Sequence, residues 1–287
     1  MPSQRKKAPG SPAGDGMKEL TPRRRELIRP VLEAPREFVL LSVRAAAARL
    51  RTDPATMVRV VQRMGYPNYR AFQNYLQNLA IANATSLEGL EQNPKPGIPD
   101  YLEASIQQDT RNLGAVRSTV DAARLASVAR RIHSAKRILL IGGDLARNLV
   151  HYFADHLAII GIPALDATTA GRSLHVARSF GKGDLVIAIS FRRGLRQTVE
   201  GLQRARRNGA YSIGITGTHL SPVARYSDEY FIAPVESASF IDSYVAPMAL
   251  VNMMLVACAN YNREASLASL REAAQEQRSG FRWFGPE

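Results

Sequence analysis

Between residues 20 and 80 apolar positions recur every three to four residues, in short runs broken by helix-starting and helix-stopping side chains. That spacing predicts several short helices. Ser42 is a good N-cap for an alanine-rich helix over 43–50, and Asp53-Pro54 marks a second start, because the N–H that proline lacks would be unpaired there anyway. The second helix runs from Pro54 to about Met64 and is stopped by Gly65. Tyr69, Phe72, Tyr75, Leu76 and Leu79 place a third over 66–79. Asn93-Pro94-Lys95-Pro96-Gly97 and Pro99 interrupt any helix, so 85–100 reads as an interdomain linker. Residues 101–134 are helical again, with Leu113, Val116, Val120, Leu125, Val128 and Ile132 on the apolar side.

Beyond 134 the pattern changes. Short apolar runs of strand length at 137–141, 161–165, 184–190, 210–216 and 229–233 are separated by helical segments such as 145–160 and 195–208. Such alternation predicts βαβ crossovers, hence a parallel sheet covered by helices on both faces. Residues 242–277 close the chain as one long helix, whose stripe of Val245, Met248, Ala249, Asn252, Leu255, Val256 and Ala259 reads as a core or a dimer seam.

Composition narrows the classes. Hydrophobic residues make up 45% and charged residues 22% of 287, which suits a globular protein of two moderate domains. Residues 1–16 are rich in Pro, Gly, Ser and Lys and read as a disordered tail. The remaining expectation is a helical domain over 17–84, the linker, and an α/β domain over 101–287. The single cysteine, Cys258, excludes an internal disulfide and falls at a core position. No run approaches the roughly 18 apolar residues needed to cross a bilayer, and the basic N-terminus has no apolar segment after it. A cytoplasmic protein with no membrane partner is expected.

The net charge of +13 points to a polyanion, and it is concentrated early: eleven arginines in 20–80 stand against Glu26, Glu33, Glu37 and Asp53. Two helices joined by a three- to four-residue turn form a helix-turn-helix layout, whose second helix enters the major groove N-terminal end first. The residues are more specific than the layout. Asp53-Pro54-Ala55-Thr56-Met57-Val58-Arg59, continuing to Arg63, Gly65 and Tyr66, resembles the recognition helix of RpiR/MurR-type bacterial transcriptional regulators. The candidate DNA-facing residues are Ser42, Thr52, Asp53, Ala55, Thr56, Arg59 and Arg63. Asp53 reads first as a cap, Thr56 as a cap or a contact, and the two arginines as contacts to a phosphate or to a base edge.

The second half is similar to the SIS domain, the sugar-isomerase module with which such regulators sense phosphosugars. Its marks are a strand entering Gly142-Gly143, a strand ending at Ser190 with a loop and helix after it, and Ile215-Thr216 followed by Ser221-Pro222-Val223-Ala224. The resemblance implies a multidomain α + α/β chain: an all-helical helix-turn-helix domain, then a three-layer SIS-like α/β sandwich. It also implies an effector site of Gly142, Gly143, Asp144, Ser190, Arg192, Arg193, Gly194 and Glu236. Two departures shape the expected ligand. The first loop reads Gly142-Gly143-Asp144-Leu145-Ala146 where the family has Gly-x-Gly-x-Ser, and the second reads Ser190-Phe191-Arg192-Arg193-Gly194-Leu195 where it has Ser-x-Ser-Gly-x-Thr. Hydroxyls that would cradle a phosphate give way to guanidiniums, which capture a carboxylate or a phosphate in bidentate fashion.

Each site residue has a plainer alternative. Gly142 and Gly143 can serve a tight turn alone, Arg192 and Arg193 can face solvent or acidic residues of a second subunit, and Glu236 can be a rim carboxylate. His151 and Asp155 stand four apart with His156 following, but no third ligand is evident, so no metal and no cofactor is expected. The reading is a non-enzymatic, DNA-binding regulator, a homodimer or homotetramer on a duplex operator, whose effector is a small anionic metabolite: a sugar phosphate or, favoured by the two arginines, an organic acid. The rivals are a sugar-phosphate isomerase on the SIS fold and an architectural DNA binder without a ligand.

Overall fold

The structure, a computed structural model, describes residues 20–82, 90, 97–192, 194–219 and 221–279. The tail over 1–16, most of the linker and Arg193 lie outside the described residues. The chain folds as two compact units, a helical one before Gly97 and an α/β one that runs from Gly97 to Ala238 and on from Asp242.

The helical unit contains α1 (Pro22–Glu33), α2 (Pro35–Phe38), α3 (Val43–Arg49), α4 (Pro54–Arg63) and α5 (Tyr69–Ala82). Both caps form as expected: Ser42 Oγ accepts from Ala45 N at 3.2 Å, and Asp53 Oδ1 accepts from Thr56 N at 2.8 Å. The core joins Ile28, Val31 and Phe38 to Ala46 and Ala47 of α3, Met57, Val60 and Val61 of α4, and Phe72 and Leu76 of α5. Phe72 is fully buried within an aromatic group, 5.4 Å from the Tyr66 ring and 6.1 Å from that of Tyr69.

The α/β unit opens with α6 (Ile98–Thr119) and α7 (Ala122–Ser134). Two expectations are corrected here. Pro99 does not bar a helix; it lies in the first turn of α6, where its missing N–H does no harm, and Gly97 N donates to Asp100 Oδ2 at 3.1 Å. The helical stretch expected over 101–134 is interrupted and forms two helices, because Val120 is extended and Asp121 starts α7 by accepting from Arg124 N at 2.7 Å.

The sheet follows as β1 (Ile138–Ile141), α8 (Ala146–Ile159), β2 (Leu165–Ala167), α9 (Ala170–Ala177), β3 (Leu185–Ile189), α10 (Arg196–Arg207), β4 (Tyr211–Thr216), α11 (Pro222–Tyr226) and β5 (Glu229–Ile232). All pairings are parallel, in the order β2-β1-β3-β4-β5. Strands β1 and β3 are buried along their whole length. Alternate residues serve the two faces: Leu140, Ile187 and Ile213 pack with α7, α8 and α12 (Val245–Tyr261), while Leu139, Val186 and Ala188 pack beneath α9, α10 and α11. The second strand was expected at 161–165 and lies at Leu165–Ala167. Gly161 ends α8 in the left-handed region, at φ 80, and Pro163 has no N–H for a ladder.

The last helix is also two, α12 and α13 (Arg263–Ser279), which meet at about 105° around Asn262. Of the expected stripe, Leu255 is buried and Met248 packs against the core, but the stripe as a whole is not the core face. Ala246, Leu250, Val251, Met254 and Cys258 are buried, whereas Val245 is 41% and Val256 is 61% exposed. Because α12 is apolar on every side, periodicity cannot choose the face that packs. Among the described residues no single helix is long and apolar enough to cross a membrane.

Candidate functional site

Two places in the fold concentrate chemistry. The first is α4. Met57, Val60 and Val61 turn one face of it into the core, which leaves Ala55, Arg59, Gln62 and Arg63 exposed on the other. A chain of hydrogen bonds organises its first turn: Thr56 Oγ1 donates to Asp53 Oδ2 at 2.6 Å and accepts from Arg59 Nη2 at 3.1 Å. The bonds from Thr56 hold the Asp53 carboxyl below its ordinary range, so Asp53 acts as a cap. Thr56 spends its hydroxyl on that chain and positions Arg59. Arg63 has no ion-pair partner among the described residues. Ser42 caps α3, and Thr52 lies in the turn, where its N–H donates to Ala47 O at 2.9 Å. The turn itself is tight: Arg51 has φ 54, in a region that side-chain-bearing residues rarely adopt.

The second is the crevice beyond the carboxyl ends of the strands. In the order 2-1-3-4-5 the connections leave β1 and β3 in opposite directions, and ligands of such sheets bind at that switch point. Gly142-Gly143-Asp144 follows β1 and Ser190–Leu195 follows β3, so topology brings both expected loops to the same place. The two glycines have a steric reason to be there. A Cβ on Gly142 would lie 2.8 Å from Val150 Cγ2 and 2.9 Å from Ile189 O; one on Gly143 would meet the Gln197 amide and lie 2.6 Å from Leu195 Cδ2. The first loop is thus pressed against the second, and a tight turn alone does not account for these glycines.

Ser190, 5% exposed, accepts from Leu195 N at 2.8 Å and closes the second loop just before α10. Its hydroxyl hydrogen stays available to an anion. Gln197, in the first turn of α10, reaches Thr168 O beyond β2 at 3.5 Å. Arg192 does not stand open. Its Nε donates to Asp242 Oδ1 at 2.7 Å, and its Nη2 reaches the same oxygen. Glu236, after β5, is pushed above its ordinary range by burial, an effect that Asp242 adds to and Arg192 opposes. Burial likewise raises Tyr244, with Asp242 and Asp144 contributing. Asp144 is exposed, at φ 55, and Gly194 takes φ 75 in the turn that Gly194 N closes onto Phe191 O.

The structure therefore gathers Gly142, Gly143, Asp144, Ser190, Arg192, Gly194 and Glu236 at one end of the sheet. It also adds Asp242, Tyr244 and Gln197, which sequence reasoning passed over. Asp242 lies 50 residues from Arg192, and no local pattern links them. Elsewhere, His151 Nε2 is 3.3 Å from Asp166 Oδ2, and His156 Nδ1 lies 2.8 Å from Tyr152 O. No group of three His, Cys, Asp or Glu among the described residues could hold a metal. A groove of about 460 Å³ lined by His175, Arg178, Glu200 and Arg204 runs between α9 and the second half of α10, away from the strand ends.

Residues 131–257 match the SIS domain family. An HTH-type transcriptional regulator of Caldanaerobacter subterraneus is 28% identical over 255 residues, covering 84% of this chain and 88% of that one. The sugar isomerase domain of an RpiR transcription factor from Sphaerobacter thermophilus is 25% identical with a TM-score of 0.58, over 62% of this chain and 98% of that one. The Vibrio vulnificus NanR protein, complexed with ManNAc-6P, shares the fold over 91% of this chain and 95% of its own, with a TM-score of 0.57 at 22% identity.

Proposed function

We propose, from the premise that the chain belongs to the RpiR-type transcriptional regulators with a SIS domain, that it binds duplex DNA through α4 and changes its DNA affinity when a small anionic metabolite enters the β1/β3 crevice. The observation that carries the reading is the exposed face of α4, where Arg59 and Arg63 stand one turn apart with Arg59 held by the Asp53–Thr56 cap. An arginine that can reach a groove floor from a helix anchored in a core is the geometry of base or phosphate contact. Thr52, Ala55 and the capped N-terminus of α3 at Ser42 complete the proposed DNA face.

The proposed effector site comprises Gly142, Gly143, Asp144, Ser190, Arg192, Arg193, Gly194 and Glu236. The NanR relative holds ManNAc-6P. In this chain the loops offer a guanidinium where neutral hydroxyls are usual, which suits an organic acid as well as a sugar phosphate. Glu236 is buried beside Arg192 and Asp242, and those two are engaged with each other, which favours binding over proton transfer there. The unit is a sensor on this reading. One reader offers too few contacts for tight operator binding, so the protein acts as an oligomer, and the exposed apolar side of α12 supplies a seam. The expected compartment is the cytoplasm, where the DNA is.

The test is selection of a preferred duplex from random DNA, followed by anisotropy titrations of wild type, Arg59→Ala and Arg63→Ala at several salt concentrations. Loss of a base contact costs about 1–3 kcal/mol, and loss of a phosphate contact lowers the salt slope by about one. Unchanged affinity and slope in both variants refutes α4 as the reader. Turnover of an aldose or ketose phosphate by the pure protein would restore the isomerase reading.

A further inference from the structure

We propose that Asp242 is an internal competitor for the effector anion: its carboxylate occupies the Arg192 guanidinium in the empty crevice, and its displacement carries the binding event to α6. This rests on the effector site proposed above and adds its regulation. The pair joins positions 50 residues apart, with side chains 30% and 17% exposed, so it is partly shielded from solvent. Arg192 is held at φ 52 while it makes the contact. A ligand carboxylate or phosphate that takes the Arg192 fork in bidentate fashion needs the N–H groups that Asp242 now uses, so the two anions exclude each other.

Asp242 sits in the segment between β5 and α12, and that segment is tied to α6 on both sides of it. Asn112 of α6, 2% exposed, donates from Nδ2 to Glu236 O at 2.8 Å, and Gln108 fixes the orientation of its amide by donating to Asn112 Oδ1 at 2.9 Å. Ser243, adjacent to Asp242, donates from Oγ to Asp109 Oδ1 at 2.5 Å. Asp109 and Asn112 stand one turn apart on the same side of α6. A buried polar link of this kind resists breakage, because separation leaves the Asn112 amide unpaired; movement of the Asp242 segment is therefore passed to the helix. Helix α6 opens the α/β unit, so it is the first element of that unit that the chain enters after the helical unit. A ligand biases such an equilibrium by binding one arrangement better than the other, and here the arrangements differ in the state of the Arg192–Asp242 ion pair.

Hydrogen exchange by mass spectrometry on the full chain tests the proposal, with Asp242→Asn as the isosteric variant and Asp242→Ser as a second that cannot mimic the carboxylate's shape. Without ligand, both variants should exchange several-fold faster than wild type in residues 233–244 and also around residues 109–116 of α6. With inorganic phosphate as the probe, protection of residues 142–146 and 190–195 should reach half-saturation at about two- to fivefold lower concentration in both variants, the size of one partly exposed ion pair. Faster exchange confined to 233–244 refutes the coupling to α6. Weaker phosphate protection in the variants makes Asp242 a support of the site and refutes competition. If phosphate protects neither loop in wild type, the proposed site fails for this probe, and the ligand-free comparison still decides the link to α6.

Discussion

Gly142→Ala tests the closeness of the two loops directly. The added methyl would sit 2.8 Å from Val150 Cγ2 and 2.9 Å from Ile189 O. Val150 is fully buried in α8 and Ile189 O belongs to the end of a buried strand, so neither neighbour is free to swing aside. Inserting a methyl into such packing costs about 1–3 kcal/mol. For a unit of this size that is a loss of about 3–10 °C in midpoint, read by calorimetry or circular dichroism. Gly143→Ala is the internal comparison. Its methyl would meet the Gln197 amide and a Leu195 methyl, both side-chain ends, so it should cost less stability but should push α10's first turn away from the first loop. The expected order is thus Gly142→Ala worse for stability and Gly143→Ala at least as damaging to anion binding. A Gly142→Ala variant as stable as wild type would refute the packing argument, and with it the reading that a tight turn alone does not account for this glycine.

Three further outcomes are expected. Asp184 accepts from Arg137 Nη2 at 2.6 Å and from Gly181 N at 2.8 Å, and these bonds, Arg137 first, hold it below its ordinary range. A depressed folded value means stability that is present above the ordinary Asp range and lost as pH falls through the folded value, so the gap between wild type and Asp184→Asn in urea unfolding should shrink as the pH is taken below that range. Glu236 has the opposite sign: burial raises it, so its charged form is a burden that grows as pH rises through the raised value. Glu236→Gln should therefore raise the thermal midpoint at neutral and alkaline pH and not below the ordinary Glu range. Phe72→Ala removes a fully buried ring from the centre of the helical unit and should cost that unit about 3–5 kcal/mol, seen as loss of amide protection across residues 20–82; undiminished protection would show that the aromatic group is not its core.

Local chemistry made most of the architecture legible in the sequence. Ser42 and Asp53 announce helix starts because an N-cap is settled by one side chain and the N–H groups two or three residues on. The runs at 137–141 and 184–190 announce buried strands because a strand covered on both faces must be apolar almost throughout. The loops after β1 and β3 could be named as one site because a parallel sheet puts all its carboxyl ends on one edge. Tertiary structure decided what depends on partners distant in sequence. It broke the helices at Val120 and Asn262, and it chose the packed face of α12, whose residues are apolar on every side. It turned Gly142 and Gly143 into contact points by placing Ile189, Leu195 and Gln197 against them. Above all, it gave Arg192 its partner. A guanidinium in a loop reads as free for a ligand until the fold shows which carboxylate lies within reach, and the attraction between charges depends on distance through space, which the order of residues along the chain does not state.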